Sequence, residues 1–173
     1  MNNSILLIGN GPSILNNEIG NIIDSHNLIC RFNAFKIDGY EKYTGIKTDI
    51  WVTCLIDNVI KQNYNKYKFV YFPLQQKRYL ELEKIIPNSK CFPHSIYTKA
   101  SMLNGKYFYP SSGLLACIYF IENGYDVIIH GFDHFQSQKH HYCDNLDVGP
   151  NHSPNMELQA FNTLILNNKV KVL

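Results

Sequence analysis

SILLIGNGPS, residues 4–13, decides the architecture. Ile5, Leu6, Leu7 and Ile8 follow one another without a polar break, the pattern of a strand buried on both faces inside a helix-covered parallel sheet. Gly9-Asn10-Gly11-Pro12-Ser13 then turns the chain sharply, and apolar residues at 14, 15, 19, 22 and 23 recur at the spacing of one helical face. Further strands are predicted at 27–30 (NLIC), 49–53, 69–72, 125–130 and 170–173. Helices are predicted at 14–23, at 75–86 before Pro87, at 112–123 with Gly124 in the C′ role, and at 155–166. Residues 88–109 carry weaker signals and read as short strands and loops. No internal repeat is visible. Alternating strands and helices in one domain predict an α/β fold, a three-layer, Rossmann-like, mostly parallel sheet. Ligands of such sheets sit beyond the carboxyl ends of the strands.

The composition narrows the classes further. With 173 residues, 45% of them hydrophobic and only 17% charged, the chain can bury a sizeable core and is not a solvated disordered one. A formal charge of +2 offers no broad cationic surface for nucleic acid, so any anion must be bound locally. The early apolar run is interrupted by glycine and proline by position 12, too soon for a signal peptide. The longest later run, 113–121, falls short of the roughly 20 residues that span a bilayer. Five scattered cysteines, with no CxxC, fit reduced core thiols better than a disulfide framework. These features predict a soluble, cytoplasmic protein with no transmembrane segment.

Three constellations carry chemistry. The Gly9–Ser13 turn can bring backbone close to a phosphate or ribose at a helix start. A dinucleotide fingerprint would place a third glycine where Ile14 stands, and an acid where Arg31-Phe32-Asn33 stands. NAD is thereby disfavoured, which leaves a nucleotide with one phosphate or a plain strand-to-helix turn. Tyr109-Pro110-Ser111-Ser112-Gly113-Leu114-Leu115 resembles a second cradle, with Ser112 suited to the N-cap and Gly113 leaving the first amides uncovered; read in isolation, simple capping is the preferred explanation. The third combines His130-Gly131-Phe132-Asp133-His134, His140-His141-Tyr142 and His152-Ser153-Pro154-Asn155-Met156-Glu157. Ser153 fits an N-cap and Pro154 the first helical position. His152 then lies outside the helix's positive end, where imidazolium is disfavoured, and a neutral histidine can act as a general base. His141 could donate to a phosphate.

A metal site is the rival, drawn from His130, His134, His140, His141, Cys143 and His152. No HExxH, paired CxxC or Asp-x-Asp supports it, and no metal is expected. His26, His94 and His134 read as ordinary surface or hydrogen-bonded histidines.

Taken in order, these pieces resemble the sialyltransferases of glycosyltransferase family 29. The long motif of that family is similar to residues 6–33, LLIGNGPS through HNLICRFN, and the short motif to 109–132, YPSSGLLACIYFIENGYDVIIHGF. His141-Tyr142 matches the third motif, and His152 to Glu157 keeps the His-x4-Glu spacing of the fourth. The resemblance implies a GT-A-like sialyltransferase variant, with residues 1–173 forming one glycosyltransferase-like domain. It implies metal-independent, inverting transfer of sialic acid from CMP-sialic acid to a sugar hydroxyl of a glycan acceptor, with no cofactor beyond that donor. By the same resemblance, His152 takes the acceptor proton and His141 steadies the departing phosphate with the Ser112 and Gly113 backbone. Asn10, with Gly11 in its turn, and Asn33 bind the phosphate and ribose region; Ser111 and Gly131 line the nucleotide pocket; Glu157 orients or starts a helix. The animal members join the long and short motifs by a disulfide, for which no cysteine stands at the matching positions, and Cys143 replaces the aromatic residue expected after Tyr142.

Two other classes compete. One is a non-catalytic CMP-, nucleotide- or glycan-binding module of the same fold. The other is an NADP-linked oxidoreductase in which Arg31 meets the 2′-phosphate.

Overall fold

In the computed structural model, residues 3–54, 64–74, 76–134, 136, 141–143 and 152–173 are described. The strands are β1 (Ser4–Ile8), β2 (Ile29–Phe32), β3 (Ile50–Val52), β4 (Phe69–Phe72), β5 (Ser89–Cys91), β6 (Asp126–His130) and β7 (Val170–Val172). The helices are α1 (Gly20–Asp24), α2 (Glu41–Thr44), α3 (Lys77–Ile85), α4 (His94–Ser101), α5 (Ser112–Glu122) and α6 (Pro154–Leu166), with short 3-10 turns at Pro12–Asn16 and Tyr64–Lys66. One sheet runs β5-β4-β3-β2-β1-β6-β7, and every neighbouring pair is parallel.

Side chains alternate across a strand, so a run that is apolar throughout needs cover on both faces. Ile5, Leu7, Cys30, Phe32, Ile50, Val52, Val127 and Ile129 share a core with Leu114 and Ile118 of α5 and Phe161 of α6. On the other face Leu6, Ile8 and Ile29 meet Ile14 and Ile23, while Trp51, Val70 and Phe72 meet Tyr79 and Leu82 of α3. The three layers follow from that division.

The order of strands places the site. From β1 the chain builds outward through β2, β3, β4 and β5, then returns to add β6 and β7 on β1's other side. The direction of winding reverses between β1 and β6, and in such sheets the segments leaving the two strands diverge to open a crevice. Here those segments are Gly9–Ser13 and Gly131–His134.

Several predicted elements differ in detail. The helix expected over 14–23 is split: Asn17 is extended (φ −136°, ψ 136°) between the 3-10 turn and α1. Ile14 and Ile23 are both fully buried, which accounts for the helical spacing, but paired asparagines are poor helix formers. Gly20 opens α1 because a Cβ there would stand 2.2 Å from the Glu41 carbonyl oxygen. Strand β2 lies two residues later than expected and contains Arg31, which is only 1% exposed. Its guanidinium is held by two backbone carbonyls and a hydroxyl: Nη2 donates to the Thr44 oxygen at 2.6 Å and the Lys47 oxygen at 3.1 Å, and Nε to the Lys47 oxygen at 3.2 Å and Thr48 Oγ1 at 3.0 Å, while Nη1 is buried without a partner among the described residues. An arginine held inside in this way does not meet a 2′-phosphate, which removes the contact on which the NADP alternative rested. The weak stretch 88–109 contains β5 and a full helix, α4. Gly124 takes the left-handed C′ role, with φ 77°.

Candidate active site

At the carboxyl edge of β1, β2, β3 and β6 lies a cavity of about 390 Å³. Its walls include every residue the sequence singled out for the site: Asn10, Gly11, Asn33, Ser111, Ser112, Gly113, Gly131, His141 and His152. Glu157 lines it as well. Residues more than 140 positions apart therefore face one space.

The two turns at the switch point are locked together by backbone. Gly9 N donates to the His130 oxygen and Gly11 N to the Gly131 oxygen, each at 2.8 Å. This approach explains Gly9, since a Cβ there would stand 2.3 Å from the Gly131 oxygen. Asn10 binds three parts of the chain to one another. Its Nδ2 donates to the Phe32 oxygen at 3.1 Å, spending one of its two amide protons, and its carbonyl accepts from Tyr142 N at 2.8 Å. The Tyr142 hydroxyl donates to the Lys36 oxygen and accepts from Lys36 N, so the short segment carrying His141 is pinned at both ends of the tyrosine.

Asn33 stands just beyond β2 in the left-handed region, with φ 48°, a conformation that asparagine tolerates. Its Oδ1 accepts from Cys54 N at 3.1 Å and Cys54 Sγ at 3.3 Å. That turns its amide nitrogen into the end offered to the crevice. Cys54 is half-buried and burial raises its thiol pKa, so it orients Asn33 as a neutral donor.

Helix α5 points its N-terminus at the same space. The cap is Ser111, whose Oγ accepts from Leu114 N at 3.1 Å; Ser112, expected to cap, is instead the first helical residue. Adjacent serines are indistinguishable by propensity, and Ser111 is selected because its extended backbone (φ −68°, ψ 161°) fits the cap. The first helical amides lack partners within the helix, and at this end they carry the positive pole of the dipole. Gly113 keeps them open on the side where a Cβ would lie 2.6 Å from Phe132 Cε1.

Glu157 locks α6 to α5. Its carboxylate accepts from Ser111 N at 3.3 Å and from Ser111 Oγ, while its own side chain is only 2% exposed. Burial raises its pKa to about 7, against the two Ser111 bonds that lower it. The fold thus favours the neutral acid: this contribution to stability is fully present below the ordinary value of 4.5 and is lost as pH rises through about 7. At about 1.4 kcal/mol per pKa unit, ionising Glu157 costs roughly 3 kcal/mol. We expect Glu157→Gln to match the wild type at pH 5 and to exceed it at pH 8 in urea denaturation. Equal differences at both pH values would contradict this.

His152 stands just before α6, with Ser153 at the cap and Pro154 in the first turn, as the sequence predicts, although the Ser153 side chain makes no capping bond. It is half-buried. Burial, and secondly the nearby His141, lower its pKa below that of an ordinary histidine. A neutral imidazole therefore faces the cavity at neutral pH. His134, read from the sequence as an ordinary surface or hydrogen-bonded histidine, lines the cavity with its ring 4.6 Å from that of Phe161 and its pKa lowered by burial. Among the described residues no three His, Cys, Asp or Glu side chains converge as a metal site; His140, one of the candidates, lies outside them. The five cysteines form no disulfide. Among the described residues no helix is long and apolar enough to cross a membrane.

A switch-point crevice with helix-start amides, asparagine side chains and a neutral histidine offers donors and a positive helix pole to an anionic group. The sequence model of glycosyltransferase family 29 (sialyltransferase) matches residues 5–95, and the chain belongs to that family. The chicken (Gallus gallus) CMP-N-acetylneuraminate-beta-galactosamide-alpha-2,3-sialyltransferase 1 is 26% identical over 169 residues, a match covering 80% of this chain and 47% of the relative. The Arabidopsis thaliana beta-1,6-galactosyltransferase GALT29A is 38% identical over 47 residues, 27% of this chain and 12% of that protein. Among solved structures, a mammalian sialyltransferase superposes with a TM-score of 0.75 at 18% identity, covering 99% of this chain and 69% of that one. The chain spans about half the length of the chicken relative, 47%.

Proposed function

We propose that this chain transfers sialic acid from CMP-sialic acid to a sugar hydroxyl of a glycan, with inversion and without a metal cofactor. The observation that carries the proposal is that His152, His141 and the turns opening at Gly9 and Ser112 line one cavity. In the transfer, the bond from the anomeric carbon to the CMP phosphate breaks and a bond to the acceptor oxygen forms. The acceptor's proton passes to neutral His152. The electron pair of the broken bond leaves with the phosphate, where negative charge builds. His141 and the Ser112 and Gly113 amides are donors aimed at that charge, each well-placed bond contributing about 3 kcal/mol to the transition state. Asn10 and Asn33 hold the phosphate and ribose region, with Gly11, Ser111 and Gly131 closing the nucleotide's walls. Glu157 acts by holding Ser111.

The name of the chicken relative contains this donor, whereas the Arabidopsis relative is named a galactosyltransferase. The latter supports a second reading, a donor that carries galactose on uridine diphosphate. Titration of CMP and of UDP by calorimetry separates the two. We expect saturable binding of CMP and binding of UDP at least tenfold weaker. Preference for UDP would favour the second reading. Tight CMP binding without transfer across a broad acceptor panel would favour the non-catalytic binding module.

A further inference from the structure

We infer that Asp133 is a positioning residue for the donor, acting through Ser13 rather than by touching the nucleotide; this rests on the CMP-donor reading above. Asp133 sits three residues beyond β6, on the loop opposite the Gly9–Ser13 turn, and it lines the cavity. Both of its oxygens are committed across the crevice mouth. Oδ2 accepts from Ser13 N at 3.0 Å, and Oδ1 accepts from Ser13 Oγ. The carboxylate lies directly against the turn it holds: a Cβ on Gly11 would stand 2.5 Å from Asp133 Cγ and 2.8 Å from Oδ1. Gly11 leaves room both for that carboxylate and for the Gly131 oxygen, which would lie 2.8 Å from the same Cβ.

Charge decides between a direct and an indirect role. A carboxylate facing a CMP-type donor would repel its phosphate, so it is a poor ligand for that group. With both oxygens engaged by Ser13, the same carboxylate becomes an anchor. It satisfies the backbone amide of Ser13 in the first turn of the 3-10 segment, which no carbonyl within that short helix could do. The clamp works alongside the two backbone bonds from Gly9 and Gly11. Those bonds fix the turn at its start, and Asp133 fixes it at its end. Asn10, which lines the cavity, belongs to the turn so held. Hydrogen bonds to an ionised group are among the stronger ones, so loss of this pair should loosen the turn measurably.

The test compares Asp133→Ala, Asp133→Asn, Ser13→Ala and the Asp133→Ala/Ser13→Ala double variant in the same CMP titration and in donor kinetics. Asp133→Ala is expected to weaken CMP binding roughly ten- to a hundredfold, and to raise the donor KM by a similar factor while kcat changes little. Ser13→Ala is expected to weaken it in the same direction. The double variant should bind no worse than Asp133→Ala alone, because Ser13→Ala removes only the Oγ bond, one of the two that Asp133→Ala removes together. Asp133→Asn keeps an acceptor for Ser13 and should recover part of the affinity; with Ser13→Ala it keeps the test decisive if Asp133→Ala fails to fold. Lowered melting temperature with unchanged CMP affinity would overturn the inference in favour of a purely structural role. A large effect of Asp133→Ala with none for Ser13→Ala and no recovery in Asp133→Asn, which still offers Ser13 N an acceptor, would overturn it in favour of direct contact with the ligand. Failure of the wild type to bind CMP would instead remove the underlying donor reading, so the two failures are distinguishable.

Discussion

Replacing His152 with alanine is expected to reduce sialyl transfer by about 10²–10⁴, the contribution of a positioned general base, while CMP affinity stays within about twofold. The separation follows from geometry. His152 enters the cavity from the start of α6, whereas the proposed phosphate contacts come from the α5 N-terminus and from His141. Removing the imidazole leaves the acceptor hydroxyl to lose its proton to water, and leaves the donor's anchors intact. The chemistry also sets the pH dependence. Because burial and His141 both lower the pKa of His152, activity should persist to more acidic pH than a base with an ordinary histidine pKa would allow. In initial-rate assays with CMP-sialic acid and an acceptor panel, wild-type rates from the alanine variant would contradict this role.

Gly9→Ala is expected to destabilise the site's framework strongly. Its Cβ would meet the Gly131 oxygen at 2.3 Å, the Gly131 carbon at 2.8 Å and Phe132 Cδ2 at 3.0 Å. Two of these atoms are backbone, so no rotamer change relieves the clash. The loops leaving β1 and β6 must part, at the expense of the bonds from Gly9 to His130 and from Gly11 to Gly131. Overpacking at an unyielding site costs about 3 kcal/mol, which for a chain of this size lowers the melting temperature by roughly 10 °C. Gly39→Ala is the matched comparison: nothing lies within 4 Å of the added methyl, and only its left-handed φ of 86° is strained, a cost nearer 1 kcal/mol. Differential scanning calorimetry of both variants checks the contrast. Equal, small shifts would show that the two turns do not pack as described.

Much of this site is legible in the amino-acid sequence, for local reasons. A strand buried on both faces is uninterrupted in apolar residues, so β1 stands out, and the segments following β1 and β6 contain the glycines that the switch point needs. Longer-range causes leave no such mark. Arg31 sits inside β2 because carbonyls 13 and more residues away absorb its protons, and no local pattern announces that. Asp133 reads as one more loop residue until Ser13, 120 positions earlier, is seen beside it. Cys54 acquires a role only because the left-handed turn at Asn33 presents Oδ1 to it. Helix α4 escapes a sequence reading for a different reason. It follows Pro93 without a side-chain cap and contains β-branched Ile96 and Thr98, so its propensity is low; burial of Ile96 and Ala100, four apart, is what holds it. The interchange of Ser111 and Ser112 at the cap is settled by backbone conformation, extended at Ser111, and by the bonds that Ser111 makes to Glu157 of the last helix, neither of which a local pattern reveals.

The most direct test is a CMP titration followed through the imidazole resonances of the histidines. His141 and His152 share the cavity, whereas His26 follows α1 at the opposite edge of the sheet and does not line it. Saturating CMP should shift the His141 and His152 signals with one common dissociation constant and leave His26 unmoved. Binding of CMP that leaves both cavity imidazoles undisturbed would mean that the nucleotide seats elsewhere, and the proposed chemistry at this crevice would fail with it.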